Sequence, residues 1–369
     1  MARDDVAVRV AGQVFTGWES VAITRDVLSA AAGCVLQVGP VTPFPFRPGA
    51  PIDVRFGKHR LLAGFVDRAE VGPHERTIVC RDATGDLIDC DPDPDSRREW
   101  TDAGVDAIAA DLAAPFGITV AVEGDVGGPF AKFACEPAEK AWTALERALR
   151  VRGVLGFSPG DGRLLLKKPS SSQAAVFLLE GVNLVDWKVS DSLEDRFSTY
   201  RVLAQRPTNQ VDFGFVTNES NGRADDPDVP RFRPSVKFSE SSGTSQDAQE
   251  RAEWEKRVRA ARSTSITCVV RDWCKGRNED GTPGDLWKPD ELLRVRIPRH
   301  GIDSDWYAQA VEYRRAPREG TLATIKLVPL GALAPSPEET PAPKDPLSGI
   351  FGGAAGGSLE PEFPEDFDQ

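Results

Sequence analysis

The sequence is poor in the residues that chemistry needs. It holds three histidines in 369 residues: His59 in GKHR and His74 in GPHER, both turn-like, and His300 in PRHGID at a strand end. None belongs to a G-x-S-x-G or related pattern, so a serine–histidine relay has no local support, and each reads as a surface-loop residue. The six cysteines, at 34, 80, 90, 135, 268 and 274, include no C-x-x-C pair. Structural zinc wants Cys and His clustered at short spacing, so that class of site is not expected. The thiols read as free and buried on strands; a disulfide involving Cys268 or Cys274, formed outside a reducing compartment, is the alternative. No cysteine has the local signature of a nucleophile. FGGAAGG (351–357) neither follows a strand nor opens a helix, so it is not a phosphate cradle. No catalytic residue, cofactor or metal is expected.

Long apolar runs are missing too. No stretch of about 18 apolar residues occurs, which argues against a helical membrane span. The opening MARDDVAVRV is acidic and lacks an apolar core, so it does not read as a secretory signal, and assembly in a cytoplasm is expected. A basic footprint is also absent: the net charge is −12, from 45 Lys+Arg and 57 Asp+Glu. Residues 335–369 alone carry eight acids and one base, which leaves the body only mildly acidic. This balance argues against a nucleic-acid reader and suits a surface past which DNA moves without being held. The 57 acids offer many carboxylate pairs, so glycoside hydrolysis stays open, yet the sequence singles out no pair.

What is present is β structure in two blocks. Residues 5–90 contain VAVRV, VFTGW, SVAIT, GCVLQV, PIDVRF, LLAGFVD and RTIVCRD, short runs separated by turn residues, as in a small sandwich or barrel. GQVFTGWESVAITRD (12–26) reads as a hairpin whose partner region lies around 184–204. Phe15, Val21 and Ile23 are assigned to the core, and Trp18 to the core or to a subunit contact. DPDPDS (91–96) is a break. Its alternating aspartates resemble a calcium loop, but Ser96 and Asp102 stand where Gly and Glu are required, so a solvated linker fits better.

Residues 97–168 change period. Thr101 is placed to cap a helix with Val105, Ile108, Ala109 and Leu112 on one face. A strand, ITVAVEG, follows. A second helix from about Pro137 to Arg152 aligns Ala138, Trp142, Leu145 and Leu149, with Trp142 more simply core than a stacking platform. PGDG then turns a hairpin. After SSSQ (170–173) the chain returns to strands: NLVDWKV, RFSTYRVLAQ, VDFGFVT, SVKFS, ITCVVRDW, ELLRVRIP, WYAQAVEYR and TLATIKLVPL. NESNGRADDPDVP (218–230) reads as an exposed loop. Residues 245–262 read as a helix capped by Ser245, with a thin stripe of Ala248, Ala252, Trp254 or Glu255, and Val258, its charges forming a solvated face. The divisions expected are a first β-barrel (1–90), an α+β module (91–170), a second β-barrel with one helix (171–333) and an extended acidic Pro/Gly-rich tail (334–369).

That tail is too polar to bury a core of its own. Its apolar residues Ile350, Phe351, Phe363 and Phe367 are the candidate contacts to a partner chain; a solubilising tail is the alternative. The plan as a whole, two β units, a spacer and a tail without reactive groups, is that of an assembly component.

Several stretches carry a family resemblance. GQVFTGWESVAITRD, CRDATGDLIDC (80–90), RALRVRGVLGF (147–157), EDRFSTYRV (194–202) and the 245–262 helix followed by LWKPDELLRV (286–295) resemble, in order and spacing, the tail baseplate hub proteins of Mu-type contractile-tail phages. The likeness runs over about residues 8–330. It implies kinship with the T-even hub and the VgrG base, and two tail-tube-like antiparallel β-barrels per chain. A homotrimer would then present six barrels as a pseudo-sixfold ring, adapting the sixfold tail tube to the threefold central spike around a DNA channel. The implied location is the virion baseplate, with spike, tube and other baseplate proteins as partners and no membrane insertion. A tail-tip cell-wall hydrolase and a carbohydrate-binding β module are the alternatives.

Overall fold

A computed structural model describes residues 6–40, 45–171, 177–205, 219–238, 245–279 and 281–334. The first block alternates apolar and polar side chains and forms β1 (Val6–Val10), β2 (Gln13–Phe15), β3 (Ser20–Asp26), β4 (Gly33–Val38), β5 (Pro51–Phe56), β6 (His59–Val71) and β7 (Arg76–Asp82). The middle block comprises α1 (Gly85–Asp89), β8 (Glu99–Ala103), α2 (Val105–Ala113), β9 (Val120–Glu123), β10 (Phe130–Ala134), α3 (Ala141–Arg152), β11 (Leu155–Phe157) and β12 (Leu164–Lys167). The last block has β13 (Leu178–Leu179), β14 (Leu184–Asp191), β15 (Thr199–Gln205), β16 (Glu219–Asp225), β17 (Pro234–Phe238), α4 (Ser245–Arg262), β18 (Thr264–Arg271), β19 (Leu292–Ile297), β20 (Ile302–Ala316) and β21 (Gly320–Val328). The fold is thus mainly β with a few helices.

The outer blocks join in one 13-stranded sheet, ordered β14-β18-β21-β20-β3-β4-β7-β6-β5-β1-β2, with β19 and β13 branching from β20. One apolar cluster runs through it, from Val6, Ile23 and Leu62 to Ile266, Val311 and Ile325. Strand residues alone can share such a core only if the sheet curls over it, and the longest strands supply the bends. Register shifts interrupt β6 between Val66 and Arg68, and β20 between Ala308 and Ala310. The middle block has its own core, where Val105, Ile108, Ala109 and Leu112 of α2 meet Ala141, Ala144, Leu145 and Leu149 of α3.

Four local expectations are corrected. First, residues 12–26 are not a hairpin: β2 pairs with β1, whereas β3 pairs with β4 and β20. Gly17, at φ 79°, turns the chain away after β2, and Trp18 Nε1 donates to Val6 O at 3.1 Å. Residues 184–204 are not its partner either, since β14 pairs with β18 and β15 lies in a separate three-stranded sheet. Second, 218–230 is not all loop. Glu219–Asp225 is β16, paired along its length with β15. Its small residues have a reason: a Cβ on Gly222 would lie 1.9 Å from Ala248 O, so α4 rests directly on the strand.

Third, Thr101 does not cap α2. It pairs with Lys132 inside β8, and Gly104 holds the N-cap position. The second helix likewise starts later, at Ala141, because Ala138 adopts φ 58°. Fourth, the charges of α4 are not all solvated. Glu255 is buried and accepts bonds from Lys237 Nζ at 2.6 Å and Arg259 Nε at 3.0 Å. The Ser245 side chain lies outside the described residues. Trp18 and Trp142 are both half-buried against core clusters.

Candidate assembly interfaces

The two β blocks meet edge to edge within the chain. β3 and β20 run antiparallel with Ile23 opposite Tyr313 and Arg25 opposite Val311. Alternation turns Val21, Ile23 and Arg25 of β3 inward together. A buried arginine needs acceptors, and Arg25 finds carbonyls: its Nη2 donates to Leu61 O at 2.6 Å and Arg60 O at 2.8 Å. Its guanidinium also lies 5.8 Å from the centre of the Tyr313 ring. Across the joint, Phe56 contacts Trp273 at 5.0 Å between centroids, and His59 Nε2 lies 2.7 Å from Gly284 O. His59 is therefore half-buried at a junction rather than on a free loop.

The middle block is fastened to both. Beside the first β block, Thr84 Oγ1 donates to Ala30 O at 2.8 Å and to the buried Asp82 carboxylate at 3.0 Å. Desolvation holds the Asp82 carboxyl above its ordinary range despite its bonds with Thr84. Gly160, at φ 91°, lets the β11–β12 turn close over Arg25, since a Cβ there would meet Arg25 Nη2 at 2.1 Å. Beside the last block, Asp290 gathers Lys167 Nζ at 2.6 Å, Tyr307 OH at 2.7 Å and Ser170 N at 2.8 Å.

Among the described residues the main path of the large sheet ends at β14 and β2, and its branch ends at β13, whose neighbour Glu180 bridges Leu184 of β14. β14 and β2 each expose an apolar side chain, Val185 on one and Val14 on the other. Strand edges of this kind template pairing with another chain. A third surface is the edge strand β17 of the small β16-β15-β17 sheet. Phe232 is 85% exposed, Val236 55% and Phe238 77%. Large apolar side chains clustered on an edge strand and on its lead-in, where Phe232 stands, mark an interaction site. SVKFS announced a strand, but which face another element covers is not written in alternation alone.

All six cysteines are free, and Cys34 faces Cys80 across β4 and β7. Burial, and then the neighbouring Cys80, pushes the Cys34 thiol up, while burial pushes Cys80 and Cys268 up to about 12. These groups stay protonated at neutral pH. Among the described residues no cluster of three or more His, Cys, Asp or Glu could hold a metal ion. No described helix is long and apolar enough to cross a membrane. Ile350, Phe351, Phe363 and Phe367 lie outside the described residues.

A β-rich body that joins its own blocks by strand edges defines a structural assembly protein. Comparison with known proteins makes the class specific. Residues 5–80 match the N-terminal domain of Mu phage baseplate assembly proteins like GpP, 84–168 the second domain of baseplate hub proteins like gp44, and 244–336 the fourth domain of GpP. Baseplate hub protein gp44 of Escherichia phage Mu is 31% identical over 350 residues, covering 87% of this chain and 90% of that protein. The 43 kDa tail protein of prophage MuSo2 from Shewanella oneidensis superposes with a TM-score of 0.77 at 25% identity, covering 90% of this chain and 100% of that one. The tail protein from Neisseria meningitidis MC58 shares the fold at a TM-score of 0.74 and 22% identity, over 91% and 99% of the two chains. The chain belongs to the baseplate hub family of Mu-like phage tails. It is a structural component of the virion tail and not an enzyme, as its relatives are.

Proposed function

We propose that three copies of this hub form a ring. Residues 1–90 and 171–333 each supply a tube-like barrel, 91–170 a spacer, and 334–369 a tail whose Ile350, Phe351, Phe363 and Phe367 contact a partner chain. Six barrels from three chains give the pseudo-sixfold face that seats the sixfold tail tube, while the opposite face keeps threefold symmetry for the central spike. The observation that carries this reading is the β3–β20 joint. One chain already holds two β blocks side by side by strand edges, and the sheet ends at β14 and β2 allow the same kind of joint between chains. Such a contact is heterologous, and a rotation that closes makes a ring.

The mild negative charge of the body supports a lumen that repels phosphates and so lets the genome pass. A lumen lined mainly by Lys and Arg would contradict that step. The ring itself is tested by native mass measurement. Three 40.0 kDa chains give about 120 kDa. A species that stays at one chain mass at micromolar concentration overturns the proposal.

A further inference from the structure

A cleft of about 350 Å³ lies where α3, α4 and the end of the described chain meet. Its apolar lining includes Trp142, Leu149, Trp254 and Val258. Five cationic side chains, Arg150, Lys237, Arg251, Arg259 and Arg262, line it against two carboxylates, Glu146 and Glu255. The buried Glu255 is already engaged by Lys237 and Arg259. Arg262 is held below its usual range, first by desolvation and then by the like charge of Arg259, with Glu255 opposing the shift and Arg150 adding to it. A ligand that combines anionic groups with large apolar side chains would answer both features of this cleft.

The chain itself ends its described course at the rim. Ala334 is part of the lining, and its carbonyl accepts from Trp254 Nε1 at 3.2 Å. The following 35 residues finish in SLEPEFPEDFDQ (358–369), which carries five acids, no base, and Phe363 and Phe367 among them. We infer that this cleft is the receptor for the acidic aromatic segment 358–369 of a hub chain, with the phenylalanines against Trp142 and Trp254 and the carboxylates facing Arg150 and Arg262. The intervening 23 residues, 335–357, are rich in Pro, Gly and Ala. An ideal coil of 23 residues has a root-mean-square span of about 25 Å, and the site to be reached borders Ala334 itself. Tethering also raises the effective concentration at the cleft to about the millimolar range. The inference stands whether or not the ring reading holds, since the tail can enter its own cleft or a neighbour's.

The test uses the purified full chain with a photo-crosslinking phenylalanine analogue placed at 363 or 367, and the adducts mapped by mass spectrometry. Adducts concentrated on residues 142–154, 251–262 and 333–334 are expected. Arg150→Glu, at an exposed position, should cut their yield about fivefold, and combining it with Glu362→Lys and Glu365→Lys in the tail should restore it. Mixing isotopically light and heavy protein separates a chain's own tail from a neighbour's. Adducts scattered over the surface, confined to the β17 patch, or unmoved by Arg150→Glu overturn the assignment. The cross-linking map does not depend on oligomeric mass, so failure here and failure of the ring are distinguishable.

Discussion

Two residues show how closely the small α4 sheet is fitted. Gly222 lies under the backbone of α4, with Ala248 O 1.9 Å from where a Cβ would stand. Gly222→Ala should cost at least ~2 kcal/mol, because the opposing atom is backbone and cannot swing aside. Ala248→Gly should not rescue it, since it leaves the carbonyl in place; chemical denaturation of the single and double variants checks both points. Glu255, with 5% of its side chain exposed, is a second case. Desolvation alone would raise its carboxyl, but the bonds from Lys237 and Arg259 more than offset this and lower it. A lowered folded-state pKa means stability that is fully present above the unfolded value, near 4.3, and lost as pH falls through the folded value. Glu255→Gln should therefore destabilise by about 1–3 kcal/mol at pH 7, with the gap to the parent narrowing below about pH 4. Thermal melts across pH 3–7 read that convergence, and a gap constant with pH would contradict it. Neither residue declared itself in sequence: a glycine in a polar run reads as a turn, and a glutamate on a charged helix reads as solvated.

At the scale of elements, the strands were legible where period two was clean. β4, β5, β7, β18 and β21 all alternate and all bury one apolar face, with Val35 of β4 exposed on the other. Their partners were not legible, because pairing is set by which edges meet across hundreds of residues. β3 looked like half of a hairpin with β2 and instead joins β20. β16 has no apolar pattern at all; it is a strand because β15 pairs with it and α4 covers it. Helix faces were easier to read, since the i, i+3, i+4 spacing of Val105, Ile108, Ala109 and Leu112 is local. The exposed β17 edge carries the element-scale prediction. Phe232 and Phe238 give little to the isolated fold, so Phe232→Asp with Phe238→Asp should change stability by no more than about 0.5 kcal/mol per site. The same pair should weaken association of the hub with itself or with its baseplate neighbours, measured by sedimentation at several concentrations. A large loss of melting temperature would instead make β17 part of the monomer's core.

For the whole molecule, the decisive feature is that the two β blocks share one apolar cluster while the middle block keeps another. A structural component of a phage tail baseplate benefits from this arrangement, because strain on one block is carried into the next by a continuous hydrogen-bonded ladder rather than by a linker. The joint concentrates on Tyr313, which is fully buried, lies opposite Ile23 on β3, contacts Trp273 at 5.7 Å and donates its hydroxyl proton to Trp287 O. Tyr313→Ala removes a large aromatic from a site where neither β block alone can collapse to fill the gap, so a cost of about 3–5 kcal/mol is expected. Hydrogen exchange shows where that cost falls. With a shared core, amides of β3 and β4 should lose protection together with those of β18, β20 and β21, while α2 and α3 keep theirs. If only residues 264–328 open, the blocks are independent folding units that merely touch. The ladder between β3 and β20 would then transmit no more force than a flexible tether.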